Sequence, residues 1–112
     1  MKKSLLLCAA LALGSTPGVY ASDAEHGETL YRAYCVQCHG LSGNGDGVNV
    51  PALSVQPRNH RDTAEMSARS DEELFKAIKH GGKSINKSVL MPAWGGNLDD
   101  DEIHALVSHL RD

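Results

Sequence analysis

The chain is short of the groups that usually fill a protein's centre: among 112 residues there are one Trp, one Phe and three Tyr. A domain this small buries a low fraction of its surface and commonly needs a staple or a bound group to complete its core. Cysteines are scarce too. Of three, Cys8 lies inside an apolar run at 5–13, which leaves one pair, Cys35 and Cys38. Long hydrophobic segments are missing. The run at 5–13 has nine residues, well short of the roughly 20 that span a bilayer, so stable membrane insertion is not expected. An excess of basic charge is also absent: 11 Lys and Arg face 14 Asp and Glu, for a formal charge of −3, and nucleic acid is not an expected partner. Alternating strand patterns are not visible, and one domain is all that this length accommodates.

The N-terminus has the layout of an export signal. Lys2 and Lys3 form the charged start, the apolar run follows, Pro17-Gly18 breaks it, and Val19-Tyr20-Ala21 supplies a small-residue cleavage site. Cleavage after Ala21 divides the chain into a signal at 1–21 and a mature domain at 22–112. Discarding Lys2 and Lys3 takes the formal charge from −3 to −5. A lipid anchor on Cys8 does not fit, because Leu7 precedes it and the apolar run continues beyond it.

Export sends Cys35 and Cys38 to an oxidising compartment, where a bare pair reads as a local disulfide or a thiol redox site. His39 changes that reading. Cys-x-x-Cys-His is the pattern by which haem c is attached. Two thiols three residues apart on a helical turn point to one side and can form thioethers to the two vinyl groups on one haem edge, while the next residue sets an imidazole under the iron. A thioredoxin-like site would want a strand before the pair, and a zinc site a second Cys/His pair at ligand spacing. Neither is present. The expected cofactor is one covalently bound haem c.

Three helices are predicted. The first covers 23–35, with Ser22 and Glu25 as a capping box and Leu30, Tyr31 and Tyr34 on its apolar side; Gly27 lies on that side as well. The second covers 71–80, with Ser70 and Glu73 as its box, Leu74, Phe75, Ala77 and Ile78 as buried residues, and Gly81-Gly82 as its stop. The third covers 100–111. Asp99 and Glu102 form its box, Leu98 and Ile103 a staple, and Ile103, Leu106, Val107 and Leu110 the buried stripe. The acids at 99–102 complement a helix dipole rather than mark a metal site. The long stretch 40–69 reads as irregular and is expected to wrap the haem. Within it, Asn44-Gly45-Asp46-Gly47 reads as a turn, since the further ligands of a calcium loop are missing.

The haem motif at the end of the first helix, Gly40, the Gly-x-Gly-Asp-Gly turn, Pro57-Arg58-Asn59, a short capped helix, Met91-Pro92 with Trp94, and a terminal Glu-Ile helix together resemble class I cytochrome c. The likeness runs from about Gly27 to Arg111. A c-prime bundle would carry its motif near the C-terminus, and a multihaem protein would carry several. The resemblance implies an all-α fold of three main helices and long loops around one covalent haem, with Gly27 and Tyr31 where the first and last helices meet, opposite Leu106 and Leu110. It also implies His39 and a methionine as axial ligands. Met91, followed by Pro92 and lying between the second and third helices, is favoured over Met66, which is assigned to packing. Pro51 is expected to offer its carbonyl to the His39 ring, and Arg58 and Trp94 are candidate partners of the haem propionates.

The implied activity is that of a monomeric periplasmic carrier passing one electron among redox proteins through transient contacts, without turning over a substrate. The alternatives are a haem subunit fixed in a larger oxidoreductase, and a haem enzyme or gas sensor with an open sixth position. Histidines 26, 60, 80, 104 and 109 read as surface residues, His60 being the hardest to dismiss as a ligand. Lys76, Lys79, Lys83 and Lys87 make one locally basic stretch, read as an ordinary solvated face.

Overall fold

The computed structural model describes residues 9–14 and 23–112; the expected cleavage site at 19–21, Cys8 and the Ser22 cap lie outside them. Five helices follow one another: α1 (Asp23–Tyr34), α2 (Val36–His39), α3 (Thr63–Ser67), α4 (Asp71–His80) and α5 (Asp100–Arg111). Three 3-10 turns, Val50–Ala52, Gly82–Ile85 and Trp94–Gly96, lie between them, and among the described residues there is no strand. The three predicted helices are α1, α4 and α5, with α1 ending one residue earlier than expected.

Both capping boxes that can be checked form in full. Ser70 Oγ accepts from the Glu73 N–H at 3.1 Å while Glu73 accepts from the Ser70 N–H at 3.0 Å. Asp99 and Glu102 exchange the same bonds at 2.8 and 2.9 Å. Each box satisfies two donors that a helix start otherwise leaves open.

The stretch 40–69 is not wholly irregular, and this corrects the expectation. It holds the turn Val50–Ala52 and the short helix α3, whose cap is Asp62, accepting from the Glu65 N–H at 3.1 Å. The Asp62 to Glu65 spacing is the start of another capping box. Only half of it forms, because the Glu65 carboxylate pairs with Arg58.

Packing is dominated by α1 against α5. Leu30 and Tyr31 of α1, Ile78 of α4, Leu98, and Ile103, Ala105, Leu106 and Val107 of α5 form one buried cluster, in which Ile103 and Leu106 are sealed from solvent. The predicted stripe of α5 is therefore buried, except that Leu110 at its end is half-buried and faces the cleft described below. The helices meet backbone to backbone at Gly27. A Cβ placed there would stand 2.0 Å from the Ala105 carbonyl oxygen and 2.8 Å from His109 Cβ. Only glycine fits, which is why α1 tolerates its poor helix propensity.

Gly27→Ala should therefore destabilise the protein. Overpacking against a backbone atom costs about 3 kcal/mol, offset by about 1 kcal/mol of helix propensity. Thermal unfolding followed by circular dichroism should show a midpoint about 10 °C lower. An unchanged midpoint would mean the helices can part without loss.

The last helix is tied across the molecule by its C-terminal arginine. Arg111 donates from Nε to Asp71 at 2.8 Å and from its two terminal nitrogens to the carbonyls of Met66 and Arg69. One planar fork thus joins α5 to the end of α3 and the start of α4.

Candidate functional site

Cys35 breaks the first helical segment and starts the next: its N–H is bonded to the Tyr31 carbonyl at 2.9 Å, and its own carbonyl accepts from His39 at 2.9 Å. Residues 35–39 are one tight turn, and the two thiols, three positions apart, share a face of it. The carbonyls left open at the end of α2 are taken up by the loop that follows. Gly45, Gly47 and Asn49 donate their N–H groups to the carbonyls of His39, Cys38 and Gln37 at 2.8, 3.0 and 2.8 Å. The Gly-x-Gly-Asp-Gly segment is thus the turn expected, and its work is to fasten the thiol-bearing helix.

That face opens on a cleft of about 1,110 Å³, whose walls include Cys35, Cys38, His39, Met66, Met91 and Trp94. Small-molecule pockets typically run from about 300 to 1,000 Å³, so this one suits a large ligand. It sits beside the core cluster, and the partly buried Tyr34, Leu74, Met91, Trp94 and Leu110 pack on both. The ring of Trp94 leans on that of Tyr34, with centroids 5.2 Å apart.

His39 is held with one nitrogen engaged. Its Nδ1 donates to the carbonyl of Arg58 at 3.1 Å, since a carbonyl only accepts. The tautomer this selects leaves the Nε2 lone pair free for a metal. Burial lowers the His39 pKa, opposed by the bond to Arg58, so the ring is kept in the neutral form that a metal requires. The expected partner, Pro51, does not fill this role. Pro51 is exposed in the turn Val50–Ala52, and the loop closes over the ring with Arg58 instead.

Burial, then the neighbouring Cys38, pushes Cys35 up to about 12, whereas an exchange-active thiol has its pKa lowered. Cys38 Sγ lies 3.9 Å from the Asn49 side-chain amide.

Met91, also on the wall of the cleft, is presented by a tightly tied loop. Gly82 donates to the Met91 carbonyl at 3.1 Å, and Met91 donates to Ser88 at 3.3 Å. A Cβ on Gly82 would meet the Ser88 oxygen at 2.1 Å and Met91 Cβ at 3.1 Å, so the second glycine of the expected helix stop serves to let this loop approach. Met66 also borders the cleft but is buried at 5% exposure, on a helix whose carbonyl is already bound to Arg111.

The candidate propionate residues both border the cleft. Arg58 also pairs with Glu65. His26, His80 and His104 are exposed as expected; His60 and His109 are not. His60 stacks on His39, with centroids 4.3 Å apart and planes 19° from parallel, and burial drives its pKa down to about 3. His109 leans on Tyr31. In the basic stretch, Lys79 is paired with Asp100 at 2.7 Å and lies over the Phe75 ring, while Lys76 and Lys87 border the cleft.

The donor chemistry of the cleft fits haem c: two thiols on one turn, a neutral imidazole with a free nitrogen, methionine thioethers on the same lining, and mostly apolar walls. Among the described residues no helix is long and apolar enough to cross a membrane.

Comparisons with known proteins agree with that chemistry. The family model described as cytochrome c oxidase, cbb3-type, subunit III matches residues 22–110. The chain is 29% identical to cytochrome c6 of Picosynechococcus over its whole length and 94% of that protein. It is 28% identical to the cbb3-type cytochrome c oxidase subunit FixP of Bradyrhizobium diazoefficiens over 88% of the chain, but spans only 30% of FixP. Among solved structures, the KustC0563 c-type cytochrome superposes with a TM-score of 0.61 at 28% identity, covering 76% of this chain and 93% of its own. The cleft, the helical frame and the match over residues 22–110 place the chain in this c-type cytochrome family, as a small class I cytochrome and a haem electron carrier.

Proposed function

We propose that this cytochrome is an exported, periplasmic one-electron carrier, cleaved after Ala21, in which a single haem is bound through Cys35 and Cys38 and closed axially by His39 and Met91. The observation that carries the reading is the convergence of two thiols, one oriented imidazole and one tied methionine on a single cleft. When bound, the haem supplies one reversible electron between ferrous and ferric iron.

The chain's residues supply everything else. Cys35 and Cys38 hold the group on the face of one turn. Arg58 fixes His39 at Nδ1. The Gly82 and Ser88 bonds keep Met91 in place through both oxidation states, so little reorganises as charge changes. His39 and Met91 would both ligate a bound haem and leave its iron no place for a substrate, so the activity would be transfer rather than turnover. Docking is brief, between monomers, at the edge of the cleft, whose lining includes Lys76, Lys87, Glu65 and Glu73.

A potentiometric titration of the protein matured in a periplasm tests this: one reversible one-electron wave is expected, and a multi-electron or irreversible wave would contradict it. A second reading, a subunit fixed in a larger oxidoreductase, is favoured by the family description and by the match to FixP. Exposed Val89 and Leu90 beside Met91 would then be covered by the partner, and the chain would co-purify with it.

A further inference from the structure

The geometry points to His60 as the positioning residue that sets the plane of the His39 ring, acting through its flat face and not through its nitrogens. The inference rests on His39 being the axial ligand proposed above. A histidine ring turns about a broad, roughly two-fold torsion, so its plane is set by its surroundings and not by rotamer preference. The Arg58 carbonyl fixes one edge, at 3.1 Å from Nδ1. A single hydrogen bond leaves the ring free to tilt about that line. The imidazole of His60, 4.3 Å away and only 19° from parallel, closes off that remaining motion.

Both restraints come from one short segment, and the segment is itself fixed. The His60 N–H donates to the Gly43 carbonyl at 2.7 Å, the Arg61 N–H to Asn59 Oδ1 at 2.8 Å, and the Asp62 N–H to the Asn59 carbonyl at 3.2 Å. His60 also makes a T-shaped contact with Tyr31, at 6.1 Å and 68°, and Tyr31 is anchored by its hydroxyl on the Gly40 carbonyl at 2.7 Å. Among the described residues, His60 Nδ1 is buried without a hydrogen-bond partner. A nitrogen left unsatisfied opposes stability, so the ring is accounted for by the surface it presents. His39 thus sits between a carbonyl at its edge and a ring at its face, both delivered by residues 58–60.

The test is the proton NMR spectrum of the oxidised holoprotein, in which the order and spread of the haem-methyl shifts report the plane of the axial imidazole. His60→Phe keeps a flat face and removes both ring nitrogens, including the unpartnered Nδ1; its methyl pattern should match the wild type. His60→Leu fills similar space without a flat face, and His60→Ala leaves a gap; both should reorder or broaden the methyl signals while the helical circular dichroism and the methionine-to-iron band persist. If His60→Leu, folded, retains the wild-type pattern, or if His60→Phe shifts it as far as His60→Leu does, the positioning role is overturned. A wild-type protein without low-spin haem signals would instead remove the ligation reading itself, which separates the two failures.

Discussion

Replacing Met91 with alanine should open the iron: CO should bind the reduced protein readily, and the reduction potential should fall by an amount on the order of 0.1 V or more, within the ~0.8 V that axial ligation spans. The thioether sulfur favours ferrous iron, so its loss shifts the balance toward the ferric state. Met66→Ala is the matched control. Both methionines border the same cleft, but Met66 is buried on α3 and is assigned to packing. Truncating it should cost about 2–5 kcal/mol of stability through the cavity left behind while the methionine-to-iron band survives. The experiment is a redox titration and a CO difference spectrum on each variant. A CO-reactive Met66→Ala beside a closed Met91→Ala would reverse the assignment.

The second large effect concerns folding. The double change Cys35→Ser with Cys38→Ser should yield a chain from which haem is removed by acidified organic solvent, whereas the wild type should retain it. Most of the helical circular dichroism should be lost along with the haem. The reason is the size of the cleft, about 1,110 Å³, against a cluster of eight buried residues among those described. A core that small does not hold open a space of that volume, and the group that fills it contributes directly to folding, as structural cofactors do. Full native helicity in the haem-free variant would show that α1 and α5 suffice alone.

What could be read from the chain divides along a physical line. Features written in side chains at short spacing were legible: the Cys-x-x-Cys-His turn, the boxes at Ser70 and Asp99, the stripe of α5, and the helical glycine that lets α5 approach. Features made by backbone carbonyls were not. Every residue carries a carbonyl, so nothing in Arg58 marks it out over Pro51 as the acceptor for His39. The loop's path decides that, and the path depends on α3, a helix too short to show periodicity. Its one signal was Asp62 three residues before Glu65. His60 was misread for a related reason: it stands in a polar run, yet the fold brings it against a ring 21 positions away, and local polarity says nothing of such a contact. Lys79 looked like part of a solvated face because its partner, Asp100, lies equally far along the chain.

The proposed function requires a covalently held haem with both axial positions closed by the protein. The measurement that tests it most directly is the optical spectrum of the protein matured in a periplasm, oxidised and reduced, with and without CO. The expected result is c-type bands that survive denaturation, a methionine-to-iron charge-transfer band in the oxidised form, and no change on adding CO at neutral pH. Rapid CO binding to the reduced protein would contradict it.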